Sequence, residues 1–410
     1  MYEKVNIFKS RPILVGSLSL LVLLICCNHF LIRVGFDQSV LIGLTALIVF
    51  LSLAKEAKTF VLDSLAEPGK NFLILFILVF SFAGIIFHLE NTWKEIALFG
   101  FLFFSIYLIL RNQDTNLNNF IANLMICSGV FMSIGVLIGL FESIFLSSKF
   151  FYHIFYSYPY VDQRFLYAGF GLNHNYSAYI IIVAQSFLFL STSTVMKNLR
   201  IYLTILLLLA LLITGAKIAV LFISLAVCNY FIQDKIKKNA MIIILVALYL
   251  FASHIVISFH DSYELGSIHY RKLLFSVGGI DCILNNYGYL KTAYFMELKD
   301  NFFLPANLKD ITQTLNTDPH SLIYSLIILG GFPLAFSVLV LIVKGIYKNF
   351  RIIEERYPSY YFCGLISVIT ETFVWDANNS IFFWVIILYA ITISKDSYPS
   401  DNGSTISINE

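Results

Sequence analysis

The sequence predicts an all-α polytopic membrane protein with about twelve transmembrane helices and one large outer loop between spans nine and ten. Three observations predict it. Hydrophobic residues make up 59% of the 410 residues and charged residues 13%, and the mean hydropathy is +0.81, values foreign to a soluble domain of this size. Apolar runs long enough to cross a hydrocarbon core of about 30 Å recur along the chain. Between Asp261 and Pro319 that recurrence stops, and an apolar run resumes at His320.

Taken in order, the expected spans lie near 13–32, 39–54, 71–88, 94–110, 120–146, 174–194, 200–214, 216–232, 240–259, 320–343, 359–376 and 379–394. Lys4, Lys9 and Arg11 precede the first run as in a signal peptide. No small-residue cleavage site follows, so the run reads as an uncleaved first span. The stretch from Ile201 to Ile232 is too long for one crossing and short for two. Flanking charge decides it: Lys197 and Arg200 come before, and Lys235, Lys237 and Lys238 after. Both ends therefore face the cytoplasm under the positive-inside rule, and the crossings between them are even in number. Thr214-Gly215-Ala216-Lys217 then becomes an outer hairpin. Both termini are expected to be cytoplasmic.

Counting basic residues supports that orientation. The inner segments, including Lys55, Lys58 and Lys70, hold seventeen of the 27 Lys and Arg, and the outer segments ten. Of those ten, Arg271, Lys272, Lys291, Lys299 and Lys309 lie in the long loop, where the rule has little force. The expected organisation is spans one to nine over 1–259, the outer loop over 260–319, spans ten to twelve over 320–396, and a polar, disordered cytoplasmic tail over 397–410.

Several function classes fall away on composition. Basic residues nearly balance the 25 acidic ones and form no block, so no electrostatic footprint for nucleic acid exists. Cys26, Cys27, Cys127, Cys228 and Cys363 sit in apolar segments and Cys282 stands alone in the loop. Neither an intraloop disulfide nor zinc-ligand spacing is available.

The candidate site residues are Arg164, Lys217, Arg271 and His320, all expected on the outer face. His320 stands where a helix enters lipid, and an ionisable side chain in such a place reads by default as functional. Guanidinium forks match phosphate oxygens, so three cations beside a histidine suit a grip on a diphosphate. No Asp-x-Asp pair occurs, leaving no evident ligand set for a divalent metal; neither metal nor cofactor is expected. Each residue also has a plainer reading. His320 can cap its helix beside Asp318, Arg164 can pair with Asp162, and Arg271 can contact lipid headgroups beside Lys272. His174 reads as a satisfied polar residue. Glu142, Glu371 and Asp376, near outer helix ends, read as partners for the cations or as surface carboxylates.

Four segments together resemble the O-antigen ligase and polysaccharide polymerase superfamily of bacterial envelopes. Arg164 to Ala178, with Gly169-Phe170-Gly171 and Asn173-His174-Asn175, is similar to that family's arginine and glycine-rich turn at the outer mouth of a span. Leu212 to Lys217 resembles its Thr-Gly-Ser-Arg turn, with Lys217 in place of the arginine. Tyr270-Arg271 resembles the arginine-led helix that opens its periplasmic loop. Pro319 to Gly331 resembles its histidine-led helix ending in glycine, with Ser321 where asparagine often follows the histidine. The match covers 164–343.

What the resemblance implies is a GT-C-like fold in the bacterial inner membrane and a metal-independent, inverting glycosyl transfer on its periplasmic face. The donor would be a glycan on undecaprenyl diphosphate. The acceptor would be a sugar of lipid A-core for a ligase, the favoured alternative, or another lipid-linked glycan for an O-antigen or capsule polymerase. His320 would act as general base or would only orient the acceptor. Arg164, Arg271 and Lys217 would stabilise the departing diphosphate. A polysaccharide transporter is the reading from outside the enzyme class; it predicts ionisable residues near the bilayer midplane and repeat symmetry, neither evident in the sequence. The loop should carry amphipathic helices over 267–284 as a lid. The 40 Phe and 24 Tyr are assigned mostly to lipid-facing bulk and interfacial belts, and Tyr156, Tyr158 and Tyr160 to a lip over the outer mouth.

Overall fold

The computed structural model describes residues 11–27, 38–87, 93–111, 115–145, 169–170, 174–191, 193–260, 303–304, 322–350, 356–374 and 381–392. Among these residues there are thirteen helices and no strand: α1 Pro12–Cys26, α2 Gln38–Ser52, α3 Ala54–Ala66, α4 Pro68–Phe87, α5 Trp93–Arg111, α6 Thr115–Phe145, α7 His174–Leu190, α8 Thr194–Thr214, α9 Lys217–Phe231, α10 Lys235–His260, α11 Leu322–Phe350, α12 Arg356–Val374 and α13 Ile381–Thr392. Three stretches are long and apolar enough to cross a membrane, Asn116–Phe141, Thr194–Thr214 and Ser325–Tyr347, or four with the bent pair α2 and α3 taken as one span. The expected loop helices over 267–284, the tyrosine lip and the tail lie outside the described residues.

The ambiguous stretch from Ile201 to Ile232 folds as two helices. Gly215 ends α8 in the left-handed conformation at φ +62°, which a residue without Cβ adopts at little cost. The Thr214 hydroxyl donates to Leu211 O at 2.6 Å and accepts from Ala216 N at 3.3 Å. That pair of bonds closes the turn before α9 begins.

α7 forms the centre, packing on α6, α8, α9 and α12. Ala178, Ile180, Ile181, Ile182, Val183 and Ala184 are fully buried; a helix apolar all round belongs inside. Small residues set its spacing to its neighbours. A Cβ added at Gly129 would lie 2.1 Å from Ala184 Cβ, and one at Gly364 would lie 1.7 Å from Ser186 Oγ. Close helix approach through small side chains is the packing device expected where lipid supplies little hydrophobic drive. α13 is the other buried rod, packed on α5 and α11. Phe103, Phe187, Phe222, Phe382, Phe383 and Trp384 are wholly buried, so much of the aromatic bulk fills gaps between helices, often edge-on, as Phe103 against Trp384 at 4.9 Å.

Contacts fix which helix ends lie together. Gly129 of α6 meets Ala184 of α7, and Gly135 of α6 meets Phe170, which precedes α7 in the chain, so these helices run antiparallel. Phe189 stacks on Tyr360 at 4.5 Å, joining the end of α7 to the start of α12. Gly345 meets Ala390 and Ile391, joining the ends of α11 and α13, and the Tyr361 hydroxyl donates to Ile386 O. The starts of α7, α9, α11 and α13 and the end of α12 therefore gather at one end of the bundle, here the far end. The start of α1, the end of α5 and helix α3 occupy the near end.

Helix α3 was not expected: its charged residues interrupt the apolar pattern, and 55–70 reads in sequence as an inner connection. It leaves α2 at 63°, turning on fully buried Leu53. Phe60 pins it, meeting Phe104 at 5.2 Å and Tyr107 at 5.8 Å edge-on, with the Arg111 guanidinium 5.2 Å from its ring centroid.

Candidate functional site

The far end carries a buried carboxylate. Glu371 is 2% exposed in the last turn of α12, flanked by Thr370 and Thr372. Those two hydroxyls donate to Ile366 O at 2.7 Å and Val368 O at 2.6 Å, turning back onto their own helix. Glu371 instead reaches across to α10, where the Tyr249 hydroxyl donates to its Oε2 at 2.5 Å. Lys217, first residue of α9, supplies the favourable positive field on the same carboxylate. Burying an unpaired carboxylate costs several kcal/mol; burial is the largest influence on Glu371, and the tyrosine hydrogen bond and the Lys217 charge oppose it in part.

Lys217 needs that carboxylate as much as the reverse. A cation at a helix N-terminus opposes the helix dipole, and the tight Thr214–Gly215–Ala216 turn places Lys217 at the first helical position. Packing of α9 on α12 and of α10 on α9 brings the three polar side chains into one cluster. The residue is half-buried, and an ammonium of this kind acts as a compact point charge with three donors.

Two further features shape the far end. Gly169, at φ +60°, packs directly on α6: a Cβ there would stand 2.7 Å from Val136 N. Phe170 stacks on Phe131 at 4.6 Å. This clasp fixes the approach to α7, which opens at His174 with buried Asn175 and Ser177. The second feature is a break in α11. Gly330 and Gly331 leave helical geometry, Gly331 at φ 73° and ψ 178°, with Pro333 following. A Cβ at Gly331 would stand 2.3 Å from Phe303 O, and one at Gly330 would stand 2.9 Å from Phe80 O. Phe303 and Leu304 of the long loop are thus seated in the break, with Phe303 edge-on to Phe332 at 6.0 Å. The half-helix above the break is buried, Leu322 and Leu326 completely.

Of the sequence-predicted site residues, Lys217 lies among the described residues, while Arg164, Arg271 and His320 lie outside them. Glu371 appears as a neighbour of Lys217, one of the two readings its sequence position allowed. Glu142 lies in α6, and Asp376 falls outside the described residues. Tyr249 was missed, because a tyrosine in the apolar run Leu248-Tyr249-Leu250 carries no sequence mark of a polar partner. Comparison of the chain with protein-family models, with curated proteins and with solved structures gives no match.

Proposed function

We propose that this chain is a glycosyltransferase of the O-antigen ligase type, moving a glycan from undecaprenyl diphosphate to a sugar of lipid A-core at the outer face of the bacterial inner membrane. In this reading the chain crosses the membrane twelve times, and the far end of the bundle is periplasmic. One observation carries it. Lys217, the glycine clasp that follows Arg164, and the buried half-helix that follows His320 all belong to the far end, on helices α7, α9 and α11 that each pack on α12. That the described helices next in sequence after the candidate cations and the histidine open at one end supports this reading.

The chemistry then divides among residues. Arg164, Arg271 and Lys217 bind and neutralise the departing diphosphate, which gains negative charge as the glycosidic bond breaks. His320 accepts the proton of the attacking hydroxyl, its ordinary pKa of about 6.5 suiting it to that task. Attack opposite the leaving group inverts the anomeric carbon, and no metal takes part. A polymerase differs in its acceptor, a second lipid-linked glycan. Discontinuity of α11 at Gly330 and Gly331 favours a second reading, carriage of a lipid-linked glycan, since broken helices also form substrate sites in transporters.

Full-length protein with His320→Ala or Arg271→Ala, produced at wild-type abundance, should lose glycan transfer from the lipid carrier entirely. Retained transfer in either variant removes that residue from the mechanism. Glycan crossing the membrane without transfer to an acceptor would support the carrier reading instead.

A further inference from the structure

We propose that helix α3 lies in the headgroup layer at the near end of the bundle and binds anionic phospholipid through Lys55 and Lys58. The helix carries charges of both signs, yet it disposes of them unequally. Its acids are already paired: largely covered Glu56 Oε1 meets Arg11 Nη1 at 2.6 Å, and exposed Asp63 Oδ2 meets Arg111 Nη2 at 2.6 Å. Ser64 and Asn71 complete the inner face, Asn71 Nδ2 donating to Ser64 Oγ at 2.8 Å. Lys55 and Lys58 are exposed, and among the described residues no acidic side chain pairs with either. The outward electrostatics of this helix are therefore positive.

The same outward face is apolar between and beyond the lysines. Val61 is 50% exposed, Leu62 56% and Leu65 76%, and at helical spacing they share one side with Lys58. On α2 the exposed Leu44, Ile48 and Leu51 form a stripe that runs into this face around the 63° corner. A helix with four charged residues in two and a half turns is costly at the bilayer centre; laid flat at its boundary, it sets leucines against acyl chains and lets lysine stems reach back to phosphates. Continuity with the α2 stripe and an unmatched pair of ammonium groups together select a lipid surface carrying negative charge over a zwitterionic one. The inference stands apart from the glycosyl-transfer reading, because it uses none of the residues assigned there.

The test uses full-length protein with Leu65→Trp in nanodiscs, read as tryptophan quenching by lipids brominated high in the acyl chain. Background from Trp93, Trp375 and Trp384 is subtracted with the unsubstituted chain. Brominated phosphatidylglycerol should quench residue 65 at a lipid fraction at least about fivefold lower than brominated phosphatidylcholine, since one basic residue near an anionic surface strengthens binding by about that factor. In the Lys55→Gln/Lys58→Gln background both lipids should still quench, with the preference falling toward one. No quenching by either lipid would mean that protein covers the face, and would overturn the proposal. So would equal quenching by both lipids in the parent, or a preference that survives loss of the lysines.

Discussion

Glu371 owes its ionic environment to two side chains from different helices, and each contributes something the other cannot. Tyr249 gives direction through a hydrogen bond of 2.5 Å, while Lys217 gives charge. Replacing Tyr249 by Phe leaves a buried carboxylate short of one donor, and the variant should lose about 1 kcal/mol of stability, the usual net worth of such a bond in or out of a membrane. Glu371→Ala removes the partner of both groups and should cost about 3 kcal/mol, more than Glu371→Gln, which keeps an acceptor for the tyrosine. Unfolding in detergent micelles measures all three; equal losses in Glu371→Ala and Glu371→Gln would show that charge, not hydrogen bonding, holds the cluster. Sequence position put Glu371 near an outer helix end, as a partner for the cations or as a surface carboxylate. Its tyrosine partner stayed hidden because α10 and α12 are distant in sequence, and nothing in an apolar run announces a donor.

At the scale of elements, the glycines with positive φ divide into two kinds. Gly215 turns between α8 and α9 with open space where a Cβ would stand. Gly215→Ala should cost only the backbone strain, about 1 kcal/mol. Gly331 has both a positive φ and the Phe303 carbonyl 2.3 Å from its missing Cβ. Gly331→Ala should therefore lose several times more, or expel Phe303 and Leu304 from the break. Thermal unfolding of the two variants side by side is the check; similar shifts would mean that the loop segment does not depend on Gly331. Helices of uniform apolarity were legible in sequence because burial in protein or lipid demands the same residues. Helix α3 was not, since it alternates buried Phe60 and Ser64 with exposed lysines and leucines, a pattern that charge counting assigns to a connection. The break in α11 was half legible: paired glycines mark an end, but a tertiary contact with the loop decides that the helix resumes.

Across the whole molecule, the antiparallel order of α6 through α13 collects at one end the helix starts that follow the candidate cations and histidine. Chain polarity and turn chemistry made that much readable: Gly215 fixes the hairpin, and flanking lysines fix its parity. Distances among Arg164, Lys217, Arg271 and His320 depend on long connections whose paths no local pattern dictates. The central claim is that this end transfers glycan from a lipid diphosphate. The most direct measurement is the lipopolysaccharide banding pattern of the host bacterium with this gene deleted. The account predicts bare lipid A-core with long polymer accumulating on the lipid carrier. Core bearing a single repeat would shift the assignment to polymerase, and an unchanged ladder would contradict it.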